Sequence, residues 1–187
     1  IMQACEESLK RLQTDWIDLY YLHFPDDTPL EETLRAMEDL CRSGKVRYIG
    51  CSNYRSWEVV GLIHLAKKNN LQPICAVQPL YNIANRDIEV EMLPMAQHYG
   101  LGVASYSPLA RGVLTGKYAQ GKIPQKSRLD RRDKRFLQAE WREATVELAE
   151  NMRPLATRLG CTRSQIATRW AMANENIHSV IVGPRTI

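Results

Sequence analysis

Apolar runs that each stop on a polar residue set the rhythm of this chain. DLYYLH ends on His23, RYIGCSN on Ser52 and Asn53, ICAVQ on Gln78, and LGVASY on Tyr106, with steps of 26 to 29 residues between His23, Ser52, Gln78 and Tyr106. A short apolar run bounded by turn residues reads as a buried strand, and a near-constant period with one strand per unit reads as a series of (β/α) repeats. Parallel neighbours must be joined by crossovers, so the alternation predicts an α/β fold with a parallel sheet. A parallel barrel gathers its reactive side chains at the C-terminal ends of its strands. Four polar strand ends therefore predict one shared pocket.

Between the runs, the polar pattern marks helices. Residues 2–13 place Ala4, Leu9 and Leu12 on a partial apolar face and predict a helix ahead of the first strand. Thr28-Pro29-Leu30-Glu31 reads as a capping box with proline at the first helical position, predicting a helix over 29–43 closed by Gly44. Ser56 opens a helix to about Asn69, and residues 87–99 read as a helix ending at Gly100. From Pro108 to about Gln138, three glycines, Pro124 and a basic run predict a long mobile loop, and loops of this length commonly act as lids. A long helix over 139–159 follows, then a second capping box from Thr162 to Gln165 opening a helix to about Asn174, and a fifth strand in HSVIV. No linker or low-complexity segment interrupts the chain, so residues 1–187 read as one domain.

At 187 residues and 21.4 kDa the chain can enclose one substantial core. A complete eight-stranded (β/α) barrel takes about 250 residues, and the period leaves room for five strands. A composition of 44% hydrophobic and 25% charged residues is that of an ordinary globular domain. No apolar run reaches the roughly 18 residues of a membrane span, and the amphipathic, acid-bearing start is unlike a secretory leader. A cytoplasmic protein without membrane insertion is expected. Cys5, Cys41, Cys51, Cys75 and Cys161 are odd in number and lie far apart with no C-x-x-C pair, which predicts free thiols and no metal centre. The net charge of +4 is concentrated in residues 122–135, where seven lysines and arginines face two aspartates. Basic character confined to one segment argues against a nucleic-acid surface and fits a local phosphate contact. His64, His98 and His178 lack partners at ligand spacing and read as surface residues, and Trp16, Trp57, Trp141 and Trp170 read as packing groups.

The motifs LYYLHFPD, GKVRYIGCSNY, AVQPLYN, ASYSPLARGVLTGKY, IPQKSR and VIVGPR together resemble the aldo-keto reductases, most closely the branch of bacterial reductases and potassium-channel beta subunits. The resemblance implies a TIM (β/α)8 barrel of which this chain carries strands four to eight. It also implies an NADPH-dependent reductase of small aldehydes or ketones that needs no metal. That family uses a tyrosine as proton donor, supported by an aspartate, a lysine and a histidine. Only the histidine has a match here, His23; the other three would lie upstream of Ile1, so the 187 residues alone are expected to be inactive.

The chemistry of the residues agrees with these roles. A neutral imidazole at a strand end can donate a hydrogen bond to a substrate carbonyl and stabilise the developing alkoxide. Ser52, Asn53 and Gln78 carry donors and acceptors suited to a carboxamide, and the resemblance assigns them to the nicotinamide. Tyr106 matches the family's stacking aromatic. Ser107, Pro108, Leu109, Arg111, Gly112 and Lys117 match the segment along the pyrophosphate, and Gly112 to Lys117 reads G-x-x-x-G-K, one residue short of a P-loop. Arg128, Gly183 and Arg185 match the adenosine end, where a guanidinium suits a 2′-phosphate; this favours NADPH over NADH. A non-catalytic subunit that keeps the cofactor site as a sensor is the alternative reading. Five strands without closure leave two edges that favour a homo-oligomer.

Overall fold

A computed structural model describes residues 1–183. Five strands, β1 (Ile17–Leu22), β2 (Val46–Ser52), β3 (Ile74–Gln78), β4 (Gly102–Tyr106) and β5 (Ser179–Ile181), follow one another in the sheet in sequence order. The pairs β1–β2, β2–β3 and β3–β4 are parallel. Helices α1 (Met2–Leu12), α2 (Leu30–Arg42), α3 (Ser56–Asn69) and α4 (Met92–Tyr99) accompany the first four strands; α5 (Lys134–Ala139), α6 (Glu143–Asn151), α7 (Arg153–Leu159) and α8 (Arg163–Met172) precede the fifth. The alternation predicted from the apolar runs is thus observed. The chain divides into two compact units, residues 1–79 with 88–104, and residues 80–87 with 105 onward.

In the first unit the helices cover apolar strands. Leu34, Met37 and Leu40 of α2 and Val59, Leu62 and Ala66 of α3 are at most 1% exposed, and Val46, Ile49, Ile74 and Val77 of the strands are buried with them. Burying one such side chain contributes roughly 1.5–3 kcal/mol. Gln13, Asn70 and Gly100 stop α1, α3 and α4 in the left-handed conformation, which asparagine and glycine adopt most readily. Gly50 has a different function. Its backbone lies against Tyr21 and the Ala76 carbonyl, so that a Cβ there would stand 2.7 Å from Tyr21 Cε1 and 2.9 Å from the Ala76 oxygen. The β2–β3 register shifts at this point, between Ile49 and Gly50.

The second unit is built on the segment expected to be a mobile loop. Residues 108–138 instead carry 3-10 turns at Ala110–Thr115 and Ala119–Gly121 and the helix α5. Ala110, Val113, Leu114, Tyr118 and Phe136 of this segment form a core cluster with Ala149, Met152 and Ala167. Tyr118, Phe136 and Trp141 pack as three rings with centroids 5.3 to 5.7 Å apart. Two of the three glycines that suggested flexibility accommodate packing: Gly112 lies against Lys117, and at Gly116 (φ 75) a Cβ would fall 1.8 Å from Arg163 Cζ; Arg163 in turn donates to the Ala149 carbonyl and Glu150.

Several helix boundaries differ from the sequence reading. The Thr28–Glu31 box does not form: Pro29 occupies the cap position with no side-chain cap bond, and the Thr28 amide instead donates to Asp26 Oδ1 at 3.0 Å. The single helix expected over 139–159 is two, α6 and α7: α6 begins only after a turn at Glu140–Arg142, and Pro154, lacking an amide hydrogen, sits in the first turn of α7 rather than continuing α6. Residues 87–99 split into a 3-10 turn at Asp87–Glu89 and α4. The Thr162–Gln165 capping box is present. Trp16 and Trp57 are exposed rather than packed, Trp16 lying under the Arg47 guanidinium at 4.9 Å; Trp141 and Trp170 do pack, the latter on Tyr81. All five cysteines are free thiols, and burial pushes Cys51 up to about 12. His64, His98 and His178 are exposed.

The tight approach at Gly50 makes a specific expectation. Gly50→Ala forces Tyr21 or strand β3 to move and is expected to destabilise the fold by about 2 kcal/mol, as overpacking does. Urea denaturation of the two proteins measures this, and an unchanged midpoint would show that the contact is relieved without cost.

Candidate functional site

In the first unit the parallel register sets β1, β2 and β3 so that their C-terminal residues come together, with Leu22 opposite Cys51 and Ser52 opposite Gln78. Ser52 is 3% exposed, and its Oγ donates to the Gln78 carbonyl at 2.8 Å. Asn53, at φ 62, turns its Nδ2 to two acceptors, the Ser52 Oγ at 3.0 Å and the His23 carbonyl at 2.8 Å. Asparagine tolerates this left-handed backbone better than other non-glycine residues. The Gln78 side chain is hydrogen-bonded to Tyr21, whose hydroxyl is pushed up by burial first and by neighbouring Cys75 second, with the Gln78 bond opposing. Thus His23, Ser52, Asn53 and Gln78 form one linked cluster. His23 is fastened through its main chain, while its exposed imidazole stands edge-on to Phe24 at 4.8 Å.

The second unit contains a cavity of about 790 Å³. Tyr106, Ser107, Pro108, Leu109, Arg111, Gly112, Lys117, Arg128 and Gly183 all line it, whereas His23, Ser52, Asn53 and Gln78 do not. Arg185 lies outside the described residues. Thr115, Ser127, Arg131, Ile181 and Val182 also line it and were not foreseen. Ser127 and Arg131 fall inside the basic run and Thr115 inside the G-x-x-x-G-K segment, which were the available signals. Among the described residues, the lining contains four cations, Arg111, Lys117, Arg128 and Arg131, and no carboxylate.

The backbone around this cavity is unusually strained. Ser107, Ala110 and Arg111 have φ of 59, 46 and 49, followed by Gly112 at 100. Non-glycine residues in this region cost of order 1–3 kcal/mol each and persist where neighbours hold them. Here Asn82, fully buried, is the holding group: its Nδ2 donates to the Ser107 carbonyl at 3.0 Å and its Oδ1 accepts from the Ala84 amide at 3.0 Å. Thr115 Oγ1 donates to the Gly112 carbonyl at 2.8 Å. Lys117 folds back over this turn, where a Cβ at Gly112 would stand 2.9 Å from its Nζ, and its ammonium lies 5.1 Å over the Tyr118 ring. The G-x-x-x-G-K segment is therefore a pair of 3-10 turns rather than the strand–loop–helix of a P-loop.

Behind the cavity lies a buried ion pair absent from the sequence reading. Arg111 Nε and Glu140 Oε1 are 4.0 Å apart and buried, and neither atom has a hydrogen-bond partner among the described residues. Burial pushes the Glu140 carboxyl up; the Arg111 charge and a hydrogen bond with Asn82 oppose this. At the outer end, Arg128 Nη1 donates to Asp133 Oδ2 at 3.0 Å. No group of three or more His, Cys, Asp or Glu that could hold a metal ion occurs among the described residues. Among them, no helix is long and apolar enough to cross a membrane.

Comparison with known proteins places these features in context. The model of the aldo/keto reductase family matches residues 1–187. A probable voltage-gated potassium channel beta subunit of Oryza sativa is 38% identical over 98% of this chain and 57% of its own length. An uncharacterized oxidoreductase of Bacillus subtilis is 38% identical over 100% of the chain and 55% of its own length. Aflatoxin B1 aldehyde reductase member 2 of mouse is 49% identical over 63% of the chain and 32% of its own length. The solved glycerol dehydrogenase of Gluconobacter oxydans superposes with a TM-score of 0.76 at 29% identity, covering 96% of this chain and 53% of that one. The chain thus spans about half the length of the curated relatives it matches, and its sequential parallel strands and helices form part of a TIM barrel.

Glu140 yields a pH prediction. A carboxyl raised by folding binds its proton more tightly in the folded chain, so folding gains as pH falls through the raised value toward the ordinary 4.5. Between about pH 7 and the ordinary value of 4.5, the wild type is expected to gain stability relative to Glu140→Gln. Urea midpoints of both proteins at the two pH values check this; a pH-independent difference would contradict it.

Proposed function

Because the chain belongs to the aldo/keto reductase family, we propose that the protein in its complete form is an NADPH-dependent oxidoreductase reducing aldehydes and ketones to alcohols. The observation that carries this reading is the cavity of the second unit, whose lining among the described residues holds four cations and no carboxylate. Such a lining suits a ligand with several phosphates, because charge-assisted hydrogen bonds to phosphate oxygens are the strong ones.

The residues divide the work as follows. Tyr106 offers its ring for stacking on the nicotinamide. Ser107, Pro108, Leu109, Arg111, Gly112 and Lys117 hold the pyrophosphate, while Arg128, Gly183 and Arg185 hold the adenosine end, with Arg128 on the 2′-phosphate. In the first unit, Ser52, Asn53 and Gln78 bind the carboxamide and so select which nicotinamide face is presented. When bound, NADPH supplies the hydride. His23 donates a hydrogen bond from its imidazole to the substrate carbonyl oxygen, orienting it and stabilising the developing alkoxide. The family's aspartate, tyrosine and lysine have no counterparts within residues 1–187, so the proton donor comes from outside this stretch and these residues alone are inactive. The mouse aldehyde reductase and the bacterial glycerol dehydrogenase support carbonyl–alcohol chemistry. We place the protein in the cytoplasm.

The Oryza sativa relative named as a probable channel beta subunit favours a second reading, a regulatory subunit that retains the cofactor site as a sensor. The two readings separate in one set of assays on the complete protein. The first expects NADPH binding and consumption with members of an aldehyde panel, a kcat reduced about 100-fold in His23→Ala, and NADPH affinity weakened about fivefold in Tyr106→Ala through lost stacking. Absence of NADPH binding overturns both readings. NADPH binding with background turnover and recovery of a stable channel partner overturns the first in favour of the second.

A further inference from the structure

Asp133 lies on α5's N-terminal boundary, outside the cavity lining, yet it is tied to one of the cavity's cations. Its Oδ1 accepts from the Phe136 amide at 2.9 Å, capping the helix, while its Oδ2 accepts from Arg128 Nη1 at 3.0 Å. Its own amide donates to the Arg128 carbonyl at 3.0 Å. The cap orients the carboxylate toward Arg128. The Phe136 amide first, and Arg128 after it, hold this carboxyl below the usual carboxylate range.

Resting on the cavity reading given above, we propose that Asp133 is a specificity-determining residue. Its carboxylate competes with a ligand phosphate for the Arg128 guanidinium and so narrows the preference for 2′-phosphorylated over unphosphorylated adenine nucleotides. The Arg128–Asp133 pair is partly open to solvent, with side chains 40% and 28% exposed, and pairs of this kind are weak. A 2′-phosphate carries up to two charges and can grip a guanidinium through two parallel bonds, which a single Oδ2 contact does not match. It therefore displaces Asp133, at a cost. A 2′-hydroxyl brings no charge and leaves the pair standing, so Arg128 is not left as an uncompensated cation when the unphosphorylated nucleotide binds. Removing the carboxylate charge helps only the phosphorylated ligand.

Isothermal titration of the complete protein with adenosine 2′,5′-bisphosphate and with adenosine 5′-phosphate tests this. Asp133→Asn and Asp133→Ser both keep a capping oxygen for the Phe136 amide, and thermal melts confirm that each is folded. Each variant is expected to bind the bisphosphate about fivefold more tightly than wild type, as loss of a partly exposed competing charge predicts. The 5′-phosphate is expected to change by less than about twofold. Unchanged or weaker bisphosphate binding in the variants overturns the proposal and leaves the cavity reading intact. An equal gain for both nucleotides overturns it as well, because the effect is then general electrostatics. Failure of either nucleotide to bind wild type or variants overturns both the proposal and the cavity reading.

Discussion

Parallel pairing is the constraint on which the arrangement of this chain depends. Parallel neighbours cannot be joined by a tight turn, so each strand is followed by a crossover and the next strand begins again from the same side. The consequence in the first unit is direct: the ends of β1, β2 and β3 fall together, and Ser52 and Asn53 bond the carbonyls of Gln78 and His23, residues distant in sequence. The register irregularity at Gly50 belongs to the same constraint. With no Cβ, Gly50 lets strand β2 approach Ala76 and Tyr21 more closely than any other residue would permit.

The second unit meets a different problem, how to present cations around an open space without collapsing it. The left-handed stretch from Ala110 to Gly112 turns the chain sharply, and the apolar residues on its inner side, Ala110, Val113 and Leu114, are buried in a core with Tyr118 and Phe136. Burial on one side anchors the strain on the other. Asn82 secures the beginning of the turn, and Thr115 its end. Glu140 and Asp133 then sit behind Arg111 and Arg128, one buried and one at the boundary, so that two of the four cations lining the cavity have a carboxylate nearby. Their surroundings set opposite protonation tendencies: burial favours the neutral form of Glu140, and hydrogen bonds favour the charged form of Asp133.

Much of this was readable from the order of residues. Strand positions and the grouping of Tyr106 to Lys117 with Arg128 and Gly183 followed from apolar runs and from recognisable motifs, because strand burial and backbone turns leave local signatures. What was not readable depended on tertiary contact. Residues 108–138 have the composition of a loop, yet Tyr118 and Phe136 are buried in it; composition does not reveal that two rings find a third in Trp141. Glu140 looks like any polar residue near a helix end, and only the fold shows it enclosed beside Arg111. The Thr28–Glu31 box failed for the converse reason: the pattern was complete, but Asp26 engaged the Thr28 amide instead. Trp16 and Trp57, large and apolar, lie exposed, since packing is decided by available partners and not by residue type.

The central claim is that the cationic cavity of the second unit holds the phosphate-bearing part of a nicotinamide nucleotide. Backbone amide chemical shifts of the isotope-labelled chain, followed during titration with NADP+, test it most directly. The account predicts saturable shifts concentrated at Ser107, Gly112, Thr115 to Lys117 and Ser127 to Arg131. Shifts confined to other residues, or none at saturating nucleotide, would contradict it.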